Sequence, residues 1–426
     1  MIRSTLAALV LIFPVAVAVA DESPGLKPID SFIENAMKRW EVPGIAVAVL
    51  RDGEQIYRRI SGLRDVDHNL PVTPYTLFAV GSISKSFTVA GLAMLARAGK
   101  LDWDAPVTDY LPEMILRPFK AGRPVTTRDL ITHLSGMHRH DALWYLHAYS
   151  RAELIRRLRH LPRFAPAGAA FQYSNLMVMA AGRVAGKISG GSWEALTRRK
   201  ILAPLGMNRT RLRLAAFLAA PDRASGYYPG AEGRIQIPPR DTDTIGPAAS
   251  VYADIGDMTR WLRHLLDARG ITTARIDIDK PRVQPELGPQ AYGMGLYLGK
   301  YRGYALARHP GVMDGYGALM SFLPARELAV IVLTNKSGGN PAPAAISYAI
   351  YDRLLGLKPK DWLHLFPSSR ERREARSNAE NPIAEAISPP PLPLSAYRGA
   401  YQHPAYGRME IDRAEGTGLT GRFHPL

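Results

Sequence analysis

Hydrophobic and polar positions change their period along the chain, and the order of the changes predicts a sheet built from both chain ends. Apolar residues recur at helical spacing over residues 29–40. An apolar run at 45–50, the turn Asp52-Gly53 and the segment 55–61 then predict a hairpin of two strands. From residue 293 the period becomes two, and we expect strands in meander order at 293–299, 304–308, 316–323 and 328–334. A closing helix is expected at 342–355.

Between these ends the pattern is mainly helical. The clearest helices are expected at 126–134, 151–161, 176–186 and 193–202. The predicted fold is therefore α/β of the α+β type: an antiparallel sheet flanked by helices, with an inserted and mostly helical subdomain at about 102–260. We place one folded domain at 21–360 and expect its functional site in the cleft between the two units.

The two ends of the chain carry different signals. Arg3, an apolar run at 6–20 and Ala18-Val19-Ala20 before Asp21 predict a signal peptide over residues 1–20. We therefore expect a periplasmic or secreted protein; an uncleaved membrane anchor is the alternative, although the run is short and Pro14 interrupts it. Residues 361–396 read as a proline-rich linker, and residues 397–426 as a further segment with weak alternation.

Composition limits the chemistry. The chain has no cysteine among its 426 residues, which excludes disulfides and thiolate metal sites. Its net charge of +16 comes mostly from scattered arginines. Export and the lack of a recognition motif argue against nucleic acid as a partner. A basic protein that binds anionic envelope polymers stays open as an alternative, and its binding would be sensitive to salt.

The stretch 77–101 has the strongest chemical signal. It predicts an almost wholly apolar helix that begins near Gly81 and ends at Gly99, which is typical of a buried helix. Ser82 and Lys85 lie three residues apart at its start, on one side of the helix. Burial and the positive end of the helix dipole both favour a neutral Lys85, which could take the proton of the Ser82 hydroxyl.

A nucleophilic serine also needs a proton shuttle and donors for an oxyanion. Tyr173 and Asn175 precede a predicted helix and would project to the same side of an extended loop. For a third element we prefer His309-Pro310-Gly311, before the strand pair 316–334, to Lys336-Ser337-Gly338, which follows the last strand and reads as a plain turn.

Together these motifs resemble the serine β-lactamase-like family, which includes class C β-lactamases, penicillin-binding D,D-peptidases and esterase relatives. The resemblance covers about 29–357 and rests on three motifs in the family's order: Ser82-Ile83-Ser84-Lys85, Tyr173-Ser174-Asn175 and His309-Pro310-Gly311. Supporting stretches are Gly44-Ile45-Ala46-Val47-Ala48-Val49, Thr132-His133-Leu134-Ser135-Gly136-Met137 and Pro204-Leu205-Gly206-Met207.

The resemblance implies hydrolysis of an ester or amide (a β-lactam, a D-amino-acid peptide or an ester) through an acyl-enzyme on Ser82. Lys85 and Tyr173 would move the protons, with either as the acylation base, while the backbone N–H groups of Ser82 and Val312 would form the oxyanion hole. The substrate-binding residues would be Asn175, His309 and Gly311. No metal or organic cofactor is implied, and the oligomeric state stays open.

One departure from the family pattern affects these expectations. Relatives that bind penicillins or D-alanyl peptides usually carry a hydroxyl residue where this chain has Pro310, so an esterase or peptidase stays open beside a β-lactamase. Residues 397–426 resemble the start of a lipocalin-like domain that some relatives append.

The partners expected are a small-molecule or peptide substrate, including peptidoglycan fragments. The alternative is a non-catalytic penicillin-recognising or peptidoglycan-binding protein on the same fold.

Overall fold

The computed structural model describes residues 26–119, 122–230, 233–267, 276–278, 290–378, 391–413 and 418–424. The predicted signal peptide and residues 379–390, the middle of the predicted linker, lie outside the described residues. Both assignments stay predictions.

The helices are α1 (Lys27–Arg39), α2 (Ser84–Arg97), α3 (Val107–Tyr110), α4 (Thr127–Thr132), α5 (Ala142–Tyr145), α6 (Arg151–Arg157), α7 (Asn175–Ile188), α8 (Trp193–Thr197), α9 (Leu214–Leu218), α10 (Gly246–Ala249), α11 (Ile255–Asp267), α12 (Ala342–Leu354), α13 (Trp362–Leu365) and α14 (Ser369–Asn378). The strands are β1 (Gly44–Arg51), β2 (Glu54–Asp65), β3 (Leu70–Pro71), β4 (Phe78–Ala79), β5 (Gly226–Gly230), β6 (Gly233–Ile237), β7 (Tyr252–Ala253), β8 (Ile276–Ile278), β9 (Gln290–Gly293), β10 (Leu296–Tyr301), β11 (Tyr304–Met313), β12 (Tyr316–Leu323), β13 (Leu328–Thr334), β14 (Gly399–His403), β15 (Gly407–Arg413) and β16 (Leu419–His424).

The main sheet joins the two ends of the chain, as predicted. Its strand order is β3-β2-β1-β13-β12-β11-β10-β9-β8, and neighbouring strands run antiparallel. The pairing of β1 with β13 sets Ile45 opposite Thr334 and Arg51 opposite Leu328. Helices cover the sheet and fill the middle of the sequence. The predicted mixed fold with a large antiparallel sheet is confirmed.

Strand β1 shows why an apolar run forms the centre of this sheet. Both its faces are buried, so its residues alternate between two cores rather than between core and solvent. Ala46, Ala48 and Leu50 pack in the cluster that includes Phe87 of α2 and Trp261 of α11. The alternate residues pack in the cluster of α1 and α12; they are Ile45, Val47 and Val49.

Three of the predicted strands differ in extent from those observed. The strand expected at 55–61 continues to Asp65 as β2. The strand expected at 293–299 is interrupted, because Met294 and Gly295 both have positive φ (45° and 85°) and form a two-residue hairpin turn between β9 and β10. The strand expected to end at Arg308 continues to Met313 as β11. Within the mostly helical middle, β5 and β6 form a hairpin that the pattern did not predict.

The C-terminal segment forms a second sheet of β14, β15 and β16, all antiparallel. Its likeness to a lipocalin-like domain stays a prediction, as do the domain boundaries. In the part of the chain that the structure describes, the helices are all too short or too polar to cross a membrane.

Candidate active site

Ser82 lies where the turn before α2 is pressed against β11. A single 3₁₀ turn, Gly81–Ile83, leads into the helix, and Gly81 has a φ of +53°. A Cβ on Gly81 would lie 2.8 Å from Val312 N, and one on Gly311 would lie 2.0 Å from the carbonyl oxygen of Val80. Only glycine allows this approach, which brings the backbone of Ser82 beside Val312.

The side chain of Lys85 is buried and points at Ser82. Its Nζ lies 3.0 Å from Ser82 Oγ, 2.8 Å from Asn175 Oδ1 and 3.0 Å from the carbonyl oxygen of Ala248. The residue is only 1% exposed. The predicted spacing therefore brings amine and hydroxyl into hydrogen-bond contact.

Burial changes the protonation of Lys85. Removal from water lowers the pKa of its amine from 10.5 to about 7, with the negative charge of Asp141 opposing this shift and the positive charge of Arg139 adding to it. At neutral pH a large share of the amine is therefore uncharged and able to accept a proton.

Tyr173 borders the same two groups. Its hydroxyl hydrogen-bonds with Ser82, and Lys85 Nζ lies 4.8 Å from the centroid of its ring. Burial raises the pKa of Tyr173 well above its usual value, a shift that the bond to Ser82 only partly opposes. The phenol is therefore protonated at neutral pH and can donate a proton, but it is a poor resting base.

Asn175 is brought to the site by the start of α7 rather than by a loop. Ser174 before it has extended backbone, and Asn175 is the first helical residue. Its Oδ1 accepts from Lys85, while its Nδ2 donates to Asp141 Oδ1 at 3.2 Å. The expectation that Tyr173 and Asn175 face one place holds, since both contact Lys85.

The sequence reasoning missed Asp141. This carboxylate accepts from Asn175 Nδ2 and from Trp144 Nε1 (2.8 Å), and its other oxygen pairs with Arg139 at 2.6 Å. Asp141 lies in the irregular region before α5, where no periodicity or motif marks it. Only the tertiary fold reveals its contact with the site.

His133, inside one of the stretches used for the family resemblance, supports Tyr173 from behind. It ends α4 in the left-handed conformation (φ 63°) and is fully buried. Its Nδ1 accepts from the backbone N–H of Ser174 at 3.2 Å, and its ring lies 4.4 Å from that of Tyr173. The segment before α7 is thus fixed on the side away from Ser82.

The third motif lies inside β11 and not in a turn. Beyond Arg308, β11 pairs with β12 on one side but has no partner on the β10 side within the described residues. Pro310 is tolerated here because an unpaired edge needs no donor. The edge is also the open wall of the site, and Val312 on it is 61% exposed.

His309 is buried at 1% exposure, with its ring 6.2 Å from that of Tyr173. Its Nδ1 is 2.7 Å from the carbonyl oxygen of Pro310 and must therefore carry the proton, so Nε2 accepts from the hydroxyl of Tyr292 at 3.2 Å. Burial, and then the charge of Lys85, lower the pKa of His309 to about 3. A neutral His309 thus lines the site from within, and its contact with substrate stays a prediction.

The alternative third motif, Lys336-Ser337-Gly338, has a structural role. Lys336 is buried, and its Nζ donates to the carbonyl oxygen of Trp40 at 2.7 Å and pairs with Glu41 at 3.1 Å. Ser337 Oγ accepts from the backbone of Gly315 at 2.8 Å. The segment after β13 is therefore more than a plain turn, and its polar groups bind the protein itself. Among the described residues no group of three histidine or acidic side chains could hold a metal ion.

Comparisons with known proteins identify the family of the chain. Residues 29–355 match the family model described as Beta-lactamase. The unguisins hydrolase ungD of Aspergillus violaceofuscus (strain CBS 115571) is 29% identical over 91% of this chain and 78% of its own length. A beta-lactamase of Escherichia coli (strain K12) is 27% identical over 75% of this chain and 90% of its own.

Among solved structures, the octameric penicillin-binding protein homologue from Pyrococcus abyssi superimposes with a TM-score of 0.72 at 25% identity. The match covers 93% of this chain and 87% of that one. Fold, site and relatives together define a serine hydrolase. The chain belongs to the Beta-lactamase family.

Proposed function

We propose that this protein is an exported hydrolase that cleaves an ester or amide through an acyl-enzyme on Ser82. One observation carries the proposal: Lys85 Nζ lies 3.0 Å from Ser82 Oγ, and the pKa of the amine is about 7. A lysine with this pKa can remove the serine proton at neutral pH, which an ordinary lysine cannot do.

In the proposed reaction Lys85 is the acylation base. It takes the proton of Ser82 Oγ as that oxygen bonds to the substrate carbonyl carbon. The protonated Tyr173 then gives its hydroxyl proton to the leaving nitrogen or oxygen and is reprotonated from Lys85. The raised pKa of Tyr173 supports this division of roles, which the sequence left open. Lys85, neutral again, then takes a proton from a water molecule as the water oxygen bonds to the acyl carbon. The bond from that carbon to Ser82 Oγ breaks, and Oγ regains its proton from Lys85.

The oxyanion that forms on the carbonyl would accept from the backbone N–H groups of Ser82 and Val312. The close approach of the Ser82 turn to β11, which Gly81 and Gly311 permit, supports this assignment. Asn175 would hold Lys85 in line and contact the substrate, while the exposed edge beyond Arg308 would receive an extended substrate segment.

Pro310 limits the substrate class. It offers neither a hydroxyl nor an N–H where penicillin-binding relatives usually contact the substrate carboxylate. Esters therefore fit better than penicillins or D-alanyl peptides, and a peptide substrate such as a peptidoglycan fragment would have to bind without that hydroxyl contact. Export rests on the predicted signal peptide at residues 1–20 and would place the enzyme in the periplasm or the medium.

The test is the intact mass of the protein after exposure to a penicillin and, separately, to a nitrophenyl ester. We expect ester turnover that disappears in Ser82→Ala, and a loss of several orders of magnitude in acylation in Lys85→Met and Tyr173→Phe. A control for the lysine substitution should keep its normal rate: Lys187→Met, at the exposed end of α7.

A lasting penicillin adduct on Ser82 would instead place the protein with the penicillin-binding peptidases. Near-normal rates in both Lys85→Met and Tyr173→Phe would contradict the proposed roles. If neither compound gave an adduct or turnover, the non-catalytic alternative on this fold would replace the hydrolase.

A further inference from the structure

The turn between β14 and β15 contacts the apolar cluster beside the active site through one buried residue, Ala405. All of β14 is exposed to solvent. Ala405 in the turn has 0% exposure and packs in the same apolar cluster as Leu143 of α5 and Leu176 of α7. This part of the C-terminal segment is therefore docked on the catalytic domain.

Polar contacts fix the docked turn. Arg157 Nη1 donates to the carbonyl oxygens of Pro404 (3.2 Å) and Ala405 (3.0 Å), and its guanidinium lies 4.0 Å from the ring centroid of Tyr149. The hydroxyl of Tyr149 in turn donates to the carbonyl oxygen of Tyr406 at 3.3 Å. A nearly buried arginine thus takes two of its acceptors from the C-terminal segment.

The turn also holds one residue of the site loop directly. The hydroxyl of Tyr406 lies 2.7 Å from His140 Nδ1. His140 has a φ of 48°, in the left-handed region that residues other than glycine adopt uncommonly. The bond to Tyr406 holds the imidazole of this residue in place.

From His140 the connection to the catalytic groups is short. His140 lies between Arg139 and Asp141 in sequence, so its backbone conformation sets where the Asp141 carboxylate points. Asp141 bonds to Asn175 Nδ2, and Asn175 Oδ1 accepts from Lys85 Nζ. The Tyr406 hydroxyl is thus linked to the amine through three side chains and one peptide unit.

We propose that Tyr406 is a positioning residue for the acyl-transfer reaction, acting through His140 and Asp141 on Asn175 and Lys85. The inference rests on the proposed function, since it assigns Tyr406 to the support of that same site. The C-terminal segment then completes the active site of its own chain.

The test compares Tyr406→Phe with Tyr401→Phe. Tyr401 lies in the same small sheet, and its hydroxyl donates to the carbonyl oxygen of Tyr397 at 2.8 Å with no contact to the loop. Ester hydrolysis gives kcat and KM, and thermal melting reports stability. We expect kcat of Tyr406→Phe to fall about tenfold with KM little changed, because a small misplacement of catalytic groups is costly. Tyr401→Phe should match the unmodified protein.

The pH profile separates positioning from general loosening. The charged or titratable groups around Lys85 are Asp141, Arg139, Tyr173 and His309, and of these Asp141 raises the pKa of the amine. If loss of the Tyr406 hydroxyl lets Asp141 move away, the acid limb of kcat/KM shifts to lower pH in Tyr406→Phe alone.

Three results are decisive. The expected drop in kcat together with the moved acid limb supports the inference. The inference is overturned if Tyr406→Phe changes neither kcat nor the acid limb of kcat/KM. It is also overturned if Tyr406→Phe and Tyr401→Phe lose activity equally and in proportion to their melting temperatures. In both cases Ser82-dependent hydrolysis, and with it the proposed function, still stands. Hydrolysis that persists in Ser82→Ala overturns the proposed function itself.

Discussion

Acylation should depend on pH through Lys85, with an apparent pKa near 7. The amine must be uncharged to take the Ser82 proton, and burial lowers its pKa to about 7. The rate of acylation is therefore expected to rise with pH up to the pKa and to level off above it. The sign follows from the role: protonation at low pH removes the base.

The structure sets the size of this effect. With a pKa of about 7, about half of the amine is uncharged at pH 7, about 90% at pH 8 and about 1% at pH 5. An unshifted lysine with the ordinary pKa of 10.5 would be uncharged in only about one molecule in 3000 at pH 7. Below pH 7 the rate should thus fall about tenfold for each pH unit.

The measurement is the rate of the first turnover with a nitrophenyl ester between pH 5 and 9, with the rate of Ser82→Ala subtracted to remove background hydrolysis. Asp141→Asn provides the perturbation, since it removes the charge that raises the pKa of Lys85 and should move the acid limb to lower pH. A rate that still rises tenfold per pH unit between pH 8 and 9, or a limb that Asp141→Asn moves to higher pH, would refute the role given to Lys85.

Two further predictions concern the backbone around the site. Gly311→Ala should destabilise the fold by roughly 2 kcal/mol or more and abolish acylation, because the new Cβ meets the backbone of Val80 at 2.0 Å. Gly191→Ala is the control, since its Cβ would have no atom closer than 3.8 Å. Its free energy of unfolding in urea should stay within about 1 kcal/mol of that of the unmodified protein. Thr126→Ala removes half of the capping box that Thr126 and Asp129 form at α4, and should cost about 1 kcal/mol in the same assay with little change in the acid limb.

The sequence was sufficient where local chemistry and tertiary structure agree. The apolar run at 45–50 predicted a buried strand because both faces of β1 are covered by helices. The spacing of Ser82 and Lys85 predicted their contact because one helical turn fixes it.

The sequence was insufficient where a neighbour from elsewhere in the chain decides the conformation. The strand pattern ends at Arg308, yet β11 continues through Pro310 and Gly311 because only one of its edges needs partners there. Asp141 has no local signal, since its use depends on Asn175 and Trp144. Ala405 follows the exposed strand β14, and the weak alternation of this segment gives no sign of a buried residue there.

The pairing of β1 with β13 has a consequence for biosynthesis. Ile45 pairs with Thr334, which the ribosome adds about 290 residues later. At ordinary rates of translation this delay is roughly 15 to 60 s. During this interval the edge of an almost wholly apolar strand has no partner on one side, which invites pairing with other chains. A nascent chain of this topology should therefore depend on chaperones, and folding of the completed chain should be slow because its central contact spans most of the sequence.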